Sequence, residues 1–177
     1  MHRVRAVAPS ACLLFCLMVI SGCGYHTVNS AVHLPQTVHT LAIPSFRNNT
    51  QSYHTEIAFT EAVIREFNTR TSYHIVTNDD AAADATLKGT IIGYQVTPLT
   101  YNNTTGESSS FLITITAKLT LTDREHRVLY QNGSYVFRQQ YQETTNLASF
   151  IQEDSAATRR LSRDFAEAAV SDILESF

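Results

Sequence analysis

Among the side chains able to do chemistry, Cys23 stands apart by its position. In VISGCGYHTV, residues 19–28, it marks the point where an apolar run stops and a polar chain begins, whereas Cys12 and Cys16 lie inside the run. The small neighbours Ser21 and Gly22 leave its thiol accessible to modifying enzymes. The expected chemistry is thioether formation with a diacylglycerol, then cleavage that makes Cys23 the new N-terminus. Other candidates form weaker patterns. The histidines after Cys23, at 26, 33, 39, 54, 74 and 126, follow no metal-ligand spacing. Asp79 and Asp80 are adjacent carboxylates, but Asn78-Asp79-Asp80 is a turn signal, where these residue types are favoured for backbone reasons. Asp84, within AAADATLKG, marks the entry to a strand. There is no glycine-rich phosphate loop, no HExxH and no GxSxG around a serine. These residues predict a protein that is not an enzyme and uses no cofactor or metal.

The segment before Cys23 explains the thiol's place. Arg3 and Arg5 give a positive start, and Ala6 to Ile20 is an almost unbroken apolar stretch ending in small residues. That is the order of a secretory signal peptide. At about 15 residues the stretch is short for a membrane-spanning helix, which needs roughly 20, and Pro9 weakens it further as a helix. Ile20-Ser21-Gly22-Cys23 resembles the bacterial lipobox. Residues 1–22 are therefore read as the signal, 23–35 as a lipidated tether and 36–177 as one domain. Cys12 and Cys16 leave with the signal, so the mature chain keeps neither a free thiol nor a disulfide. Two or three acyl chains hold a protein stably at a membrane, where one would be marginal. Gly24 follows the cysteine where an aspartate would direct inner-membrane retention. The expected place is the periplasmic side of the outer membrane.

Loss of Arg3 and Arg5 lowers the basic count from 13 to 11 against 16 acidic residues, a formal charge of −5. A mildly acidic chain without basic runs is a poor nucleic-acid binder, so no nucleic-acid partner is expected. The domain must then be built from alternating and helical patterns. Thr37 to Phe46 reads as a strand that Pro44 ends or makes an edge, and RNNTQS as a turn in which Ser52 or Thr55 caps a helix. The helix, Glu56 to Arg70, carries Phe59, Ala62, Val63 and Phe67 on one stripe. A short strand follows at Tyr73 to Thr77, and strand–helix–strand order implies a crossover between parallel strands. Ala85 to Val96 is the next strand. In FLITITAKLTLT, residues 111–122, Phe111, Ile113, Ile115, Ala117, Leu119 and Leu121 alternate with a threonine-rich face. Asp123 to His126 turns the chain into Val128 to Phe137. Leu161, Phe165, Ala169 and Ile173 mark a closing helix. The fold class is α/β (α+β): a two-layer sandwich with two helices on one face of a mixed, mostly antiparallel sheet. Phe111, Ile113, Ile115 and Leu119 should meet Phe59, Phe67 and Phe165 in its core.

Between the long strands lies TYNNTTGESSS, residues 100–110, polar and without a basic residue. As a plain element it is a long hairpin loop; as a functional one it could enter a partner's cavity, with Tyr101, Asn102, Asn103 and Thr104 at the contact. Cys23-Gly24-Tyr25-His26, Leu34-Pro35, TLAIPSFRNNT, TEAVIREFNTR, AADATLKGTI and FLITITAKLTL, in that order, make the chain similar to the LptE family of lipopolysaccharide-assembly lipoproteins. The resemblance implies a two-layer sandwich held in the lumen of the outer-membrane β-barrel LptD, as plug and assembly factor of the translocon that places lipopolysaccharide in the outer leaflet. It also implies contact with lipopolysaccharide through basic residues. The 101–110 loop departs from that, so no lipopolysaccharide-binding residue is carried over. Lys88, Lys118, Arg127 and Arg138 are the basic side chains on or near strands, where guarding an edge is the plainer role. The entry TLAIPSFRNNT is also similar to strand entries of curli-secretion and peptidoglycan-synthase-activating lipoproteins, which stay open as the alternative.

Overall fold

The computed structural model of the chain describes Leu34 and residues 37–101, 108–142 and 147–177, all within one compact unit, Val32–Phe177. The elements are β1 (Thr40–Ala42), β2 (Arg47–Asn48), α1 (Thr55–Arg70), β3 (His74–Val76), β4 (Ala85–Tyr101), β5 (Ser108–Asp123), β6 (Val128–Gln142) and α2 (Leu147–Glu175). The sheet order is β3-β1-β4-β5-β6, with β2 joining β4 beyond β1. β1 runs parallel to β3 and β4, as the crossover through α1 requires, and β4-β5-β6 form an antiparallel meander. This is the expected mixed, mostly antiparallel sheet with two helices.

Boundaries differ from the sequence expectation in instructive ways. The first strand breaks into β1 and β2 around Pro44, which lacks the N–H a continuous ladder needs. β4 and β5 run further towards each other than expected, since pairing with a long partner carries the strand past Pro98 through register shifts. α1 is not capped by Ser52 or Thr55. His54 occupies the cap position with φ 61° and no side-chain cap bond, while the Ser52 and Thr55 hydroxyls bond each other at 2.7 Å.

The core lies between sheet and helices. Ile113, Ile115, Ala117, Leu119 and Leu121 of β5 are all buried, and so are Leu87 and Ile91 of β4. Phe111 is half-buried, stacked on Tyr141 with ring centroids 5.4 Å apart. From the helices come Phe59, Val63 and Phe67, then Leu161, Phe165, Ala169 and Ile173 at four-residue spacing. Phe165 is the hub, 5.0 Å from Phe59, 5.6 Å from Tyr135, 5.7 Å from Phe137 and 6.4 Å from Phe46. Each such side chain stabilises the fold by about 1.5–3 kcal/mol through removal from water. Polar ties fix the layers: Thr60 Oγ1 accepts from the Phe46 N–H at 2.9 Å and donates to the Glu56 carbonyl at 2.6 Å. Tyr135 donates to Asp172 at 2.7 Å, joining β6 to α2.

Asp84 stands at the entry to β4, as its position in the sequence suggested, and also secures the start of β1. Its Oδ2 accepts the N–H groups of His39 and Thr40, both at 2.9 Å, and its Oδ1 meets Arg124 at 2.9 Å. The two backbone donors, followed by Arg124, hold its carboxyl below the usual carboxylate range. A depressed folded pKa contributes stability above the unfolded value of about 3.9, and that contribution is lost as pH falls through the folded one. Asp84→Asn is therefore expected to cost about 1–2 kcal/mol near neutral pH. Urea melts should show the gap to the unsubstituted chain narrowing below about pH 4; a gap independent of pH would contradict a role for the charge.

Candidate anion-binding face

Among the described residues, one surface of the sheet faces the helices and the other is free of them. Register assigns the cations to the second. Arg47 of β2 pairs with Thr90 of β4, and Thr90 pairs with Lys118 of β5. Residues directly opposite in a sheet share a face, so Arg47, Thr90 and Lys118 form one row across three strands. Lys88, two residues before Thr90, joins them from the next row, opposite Thr120. Their neighbours Leu87, Ile91 and Leu119 point the other way into the core. Alternation thus sorts this stretch into apolar groups beneath and cations with threonines above.

The row borders a cavity of about 410 Å³ lined by Pro44, Ser45, Arg47, Asp79, Lys88, Gly89, Thr90, Lys118 and Thr120. Gly89 lets the chain lie close here: a Cβ on it would fall 2.5 Å from the buried Phe46 ring. Three cations and one carboxylate give the lining a formal charge of +2. Lys88 Nζ is 2.8 Å from Asp79 Oδ2, but with both side chains mostly exposed the pair is worth little and exchanges readily. Arg47 and Lys118 have no ion pair among the described residues. Such a cavity can hold a phosphate or carboxylate by charge and by hydroxyl hydrogen bonds.

A second cavity, about 310 Å³, lies just before the start of β4, against Asp84, Asp123, Arg124, Glu125 and Arg127. Its charges are matched internally: Arg124 with Asp84 at 2.9 Å, and Arg127 with Asp123 at 2.6 Å and Glu125 at 2.8 Å. It offers an anion no spare cation.

Of the four basic residues singled out from the sequence, then, Lys88 and Lys118 come together. Arg138, opposite Thr114, shares their face further along the sheet. Arg127 is consumed by its carboxylates. Arg47 escaped sequence reading because RNNTQS resembles a turn; only the pairing of a two-residue strand with β4 brings it beside Lys118. The adjacent carboxylates have separate local partners: Asp79 meets Lys88, and Asp80 Oδ1 accepts the Ala82 N–H at 2.8 Å. Tyr101 ends β4 and is a strand residue in its backbone, not part of a loop. Asn102, Asn103, Thr104 and Cys23 lie outside the described residues. Among the described residues no helix is long and apolar enough to cross a membrane, and no three His, Cys, Asp or Glu side chains gather as for a metal.

Comparison with known proteins adds the rest. The family model described as LptE, lipopolysaccharide-assembly, matches residues 38–173. No curated protein matches the sequence significantly. Among solved structures, the rare lipoprotein B from Shewanella oneidensis is similar at TM-score 0.53 and 10% identity, with 75% of this chain and 94% of that chain covered. Lipoprotein B from Nitrosomonas europaea is similar at TM-score 0.54 and 12% identity, covering 82% of this chain and 87% of that one. At such identities the structures establish a shared fold.

Proposed function

Because the chain belongs to the LptE family of lipopolysaccharide-assembly proteins, we propose that it is an outer-membrane lipoprotein that plugs and helps assemble the LptD β-barrel, the translocon for lipopolysaccharide. The observation that carries this reading is the match of the family model over residues 38–173. Three further features support it. Cys23, in its lipobox, supplies the acyl anchor that holds the domain at the periplasmic side of the outer membrane. The face built from Thr90, Thr114, Thr116 and Thr120 offers hydroxyls to a polar barrel lumen, as does the sequence from Tyr101 to Ser110 with Asn102, Asn103 and Thr104. Arg47, Lys88 and Lys118 offer positive charge to the phosphates of lipopolysaccharide.

The role is one of positioning, without bond chemistry. Attachment by the lipid and enclosure by a barrel raise the effective concentration of individually modest contacts. Exposed cations attract phosphate over about a Debye length, roughly 8–10 Å at physiological salt, and release it as readily. A passing substrate needs both. The deciding experiment is a mild-detergent pull-down through the C-terminus from cells making the full chain. A large β-barrel should co-purify, the chain's N-terminus should be acylated Cys23 by mass spectrometry, and depletion should make cells permeable to large hydrophobic antibiotics. Recovery of a peptidoglycan synthase or a curli-secretion component without a barrel would overturn the proposal.

A further inference from the structure

β4 is paired with β5 along its whole length, but on its other side it has short partners only. β1 takes Ala85 and Thr86, and β2 takes Thr90 and Ile91, where the Asn49 N–H closes the ladder on the Ile91 carbonyl at 2.9 Å. Beyond Ile91 no described strand adds to that side. The edge is also unusually apolar: Ile92, Val96 and Leu99 are 42%, 39% and 44% exposed. Tyr94 is turned to the core, and the case rests on the other three. From Gly89 to Tyr101 there is no charged residue.

Proteins ordinarily protect a free edge with charges, bulges or prolines, because unsatisfied N–H and C=O groups template the addition of another strand. Among the described residues the protection consists of the bulge between Ile91 and Gly93, the register shifts between Pro98 and Tyr101 and the proline at 98, and none of these lies at Val96. The opposite edge of the sheet makes the contrast. Among the described strands β6 is also unpaired on its outer side, but it carries Arg138, several glutamines and Gly133, and exposes two large aliphatics, Val128 and Val136, over fifteen residues.

We infer that the Ile92–Leu99 edge of β4 pairs antiparallel with the same edge of a second copy of this chain, forming a two-fold dimer with one continuous sheet. The absence of charge selects this occupant. In an isologous antiparallel contact the residues near the centre meet themselves or a close neighbour, so a lysine or glutamate there would face a like charge; this segment contains none. Val96 lies near its middle, and in a symmetric register of near-full overlap it faces Val96 of the second copy, covering two exposed aliphatic side chains at once. Backbone hydrogen bonds then supply the affinity, as in other strand additions. The dimer concerns the chain before it joins any larger assembly and does not depend on the lipopolysaccharide reading.

The test uses the full chain in mild detergent, with mass followed by light scattering or sedimentation as concentration rises. The unsubstituted chain should approach twice the protein mass of a single copy. Val96→Lys and Val96→Glu should each stay at single mass, since like charges meet at the centre. An equimolar mixture of the two should regain the doubled mass, an outcome that acyl chains sharing a micelle would not give. Val136→Lys, which places the same charge on the other edge strand, should leave the dimer intact. If either Val96 variant folded poorly, Gln95→Lys with Thr97→Lys and Gln95→Glu with Thr97→Glu would repeat the pairing, since residue 95 faces residue 97 of the second copy in this register and both are exposed. A single-copy mass for the unsubstituted chain, doubled mass in both charge variants, or no recovery in the mixture would overturn the inference.

Discussion

Phe165→Ala should destabilise the domain by about 3–5 kcal/mol, as truncation of a buried aromatic typically does. Phe165 is fully buried and meets four aromatic rings from β2's approach, α1 and β6. Removing it leaves a cavity that all three elements border, so no single shift can close it. Against a usual total of about 5–15 kcal/mol, the variant should fold weakly or only at reduced temperature. Thr116→Ala supplies the comparison. Thr116 is half-buried on the opposite face of β5, where its side chain lies over the space beside Gly93. Its loss should cost about 1 kcal/mol or less. Urea melts of both variants measure the difference, and equal losses would mean that the sheet is covered on both faces, contrary to the two-layer arrangement.

The same asymmetry explains why the sequence disclosed some elements well. Residues 111–121 alternate without interruption because β5 is central and one-sided, so period two survives along its length. In β4 the alternation fails at Ile91-Ile92, and the structure shows why: a register shift between Ile91 and Gly93 inserts a residue, so Leu87 and Ile91 share their face with Tyr94 and Val96. A bulge reverses the phase of the pattern, and the strand's continuation past Pro98 is then hard to see. The parallel part is obscure for another reason. β1, β2 and β3 are two or three residues long and owe their pairing to α1 and to Asp84, contacts distant in sequence. Arg47 illustrates the consequence for the site. Its charge is plain from the sequence, yet its place in the row with Thr90 and Lys118 exists only after the crossover is formed. Family resemblance was legible because it rests on ordered motifs along the chain, which need no tertiary information.

Lys88→Glu combined with Lys118→Glu is expected to weaken binding of lipopolysaccharide by tenfold or more, the larger functional effect among these variants. Reversing two charges takes the cavity lining from +2 to −2, since Arg47 then stands alone against Asp79 and two new carboxylates. Each exposed ion contact contributes about 0.2–1 kcal/mol. Losing two and adding repulsion at both places therefore reaches the roughly 1.4 kcal/mol that a tenfold change represents. The loss should be greatest at low ionic strength and shrink as salt screens the face. Arg159→Glu with Arg163→Glu is the control. It makes the same change in net charge on α2, between the helices and away from the outer sheet face. The measurement is binding of the full chain in detergent to immobilised lipopolysaccharide, intact or stripped of its phosphates. If the row Arg47–Thr90–Lys118 works as an anion site, dephosphorylation should mimic the double substitution and add little to it. Equal binding by both double variants, or indifference to the phosphates, would leave the cations as ordinary surface charges.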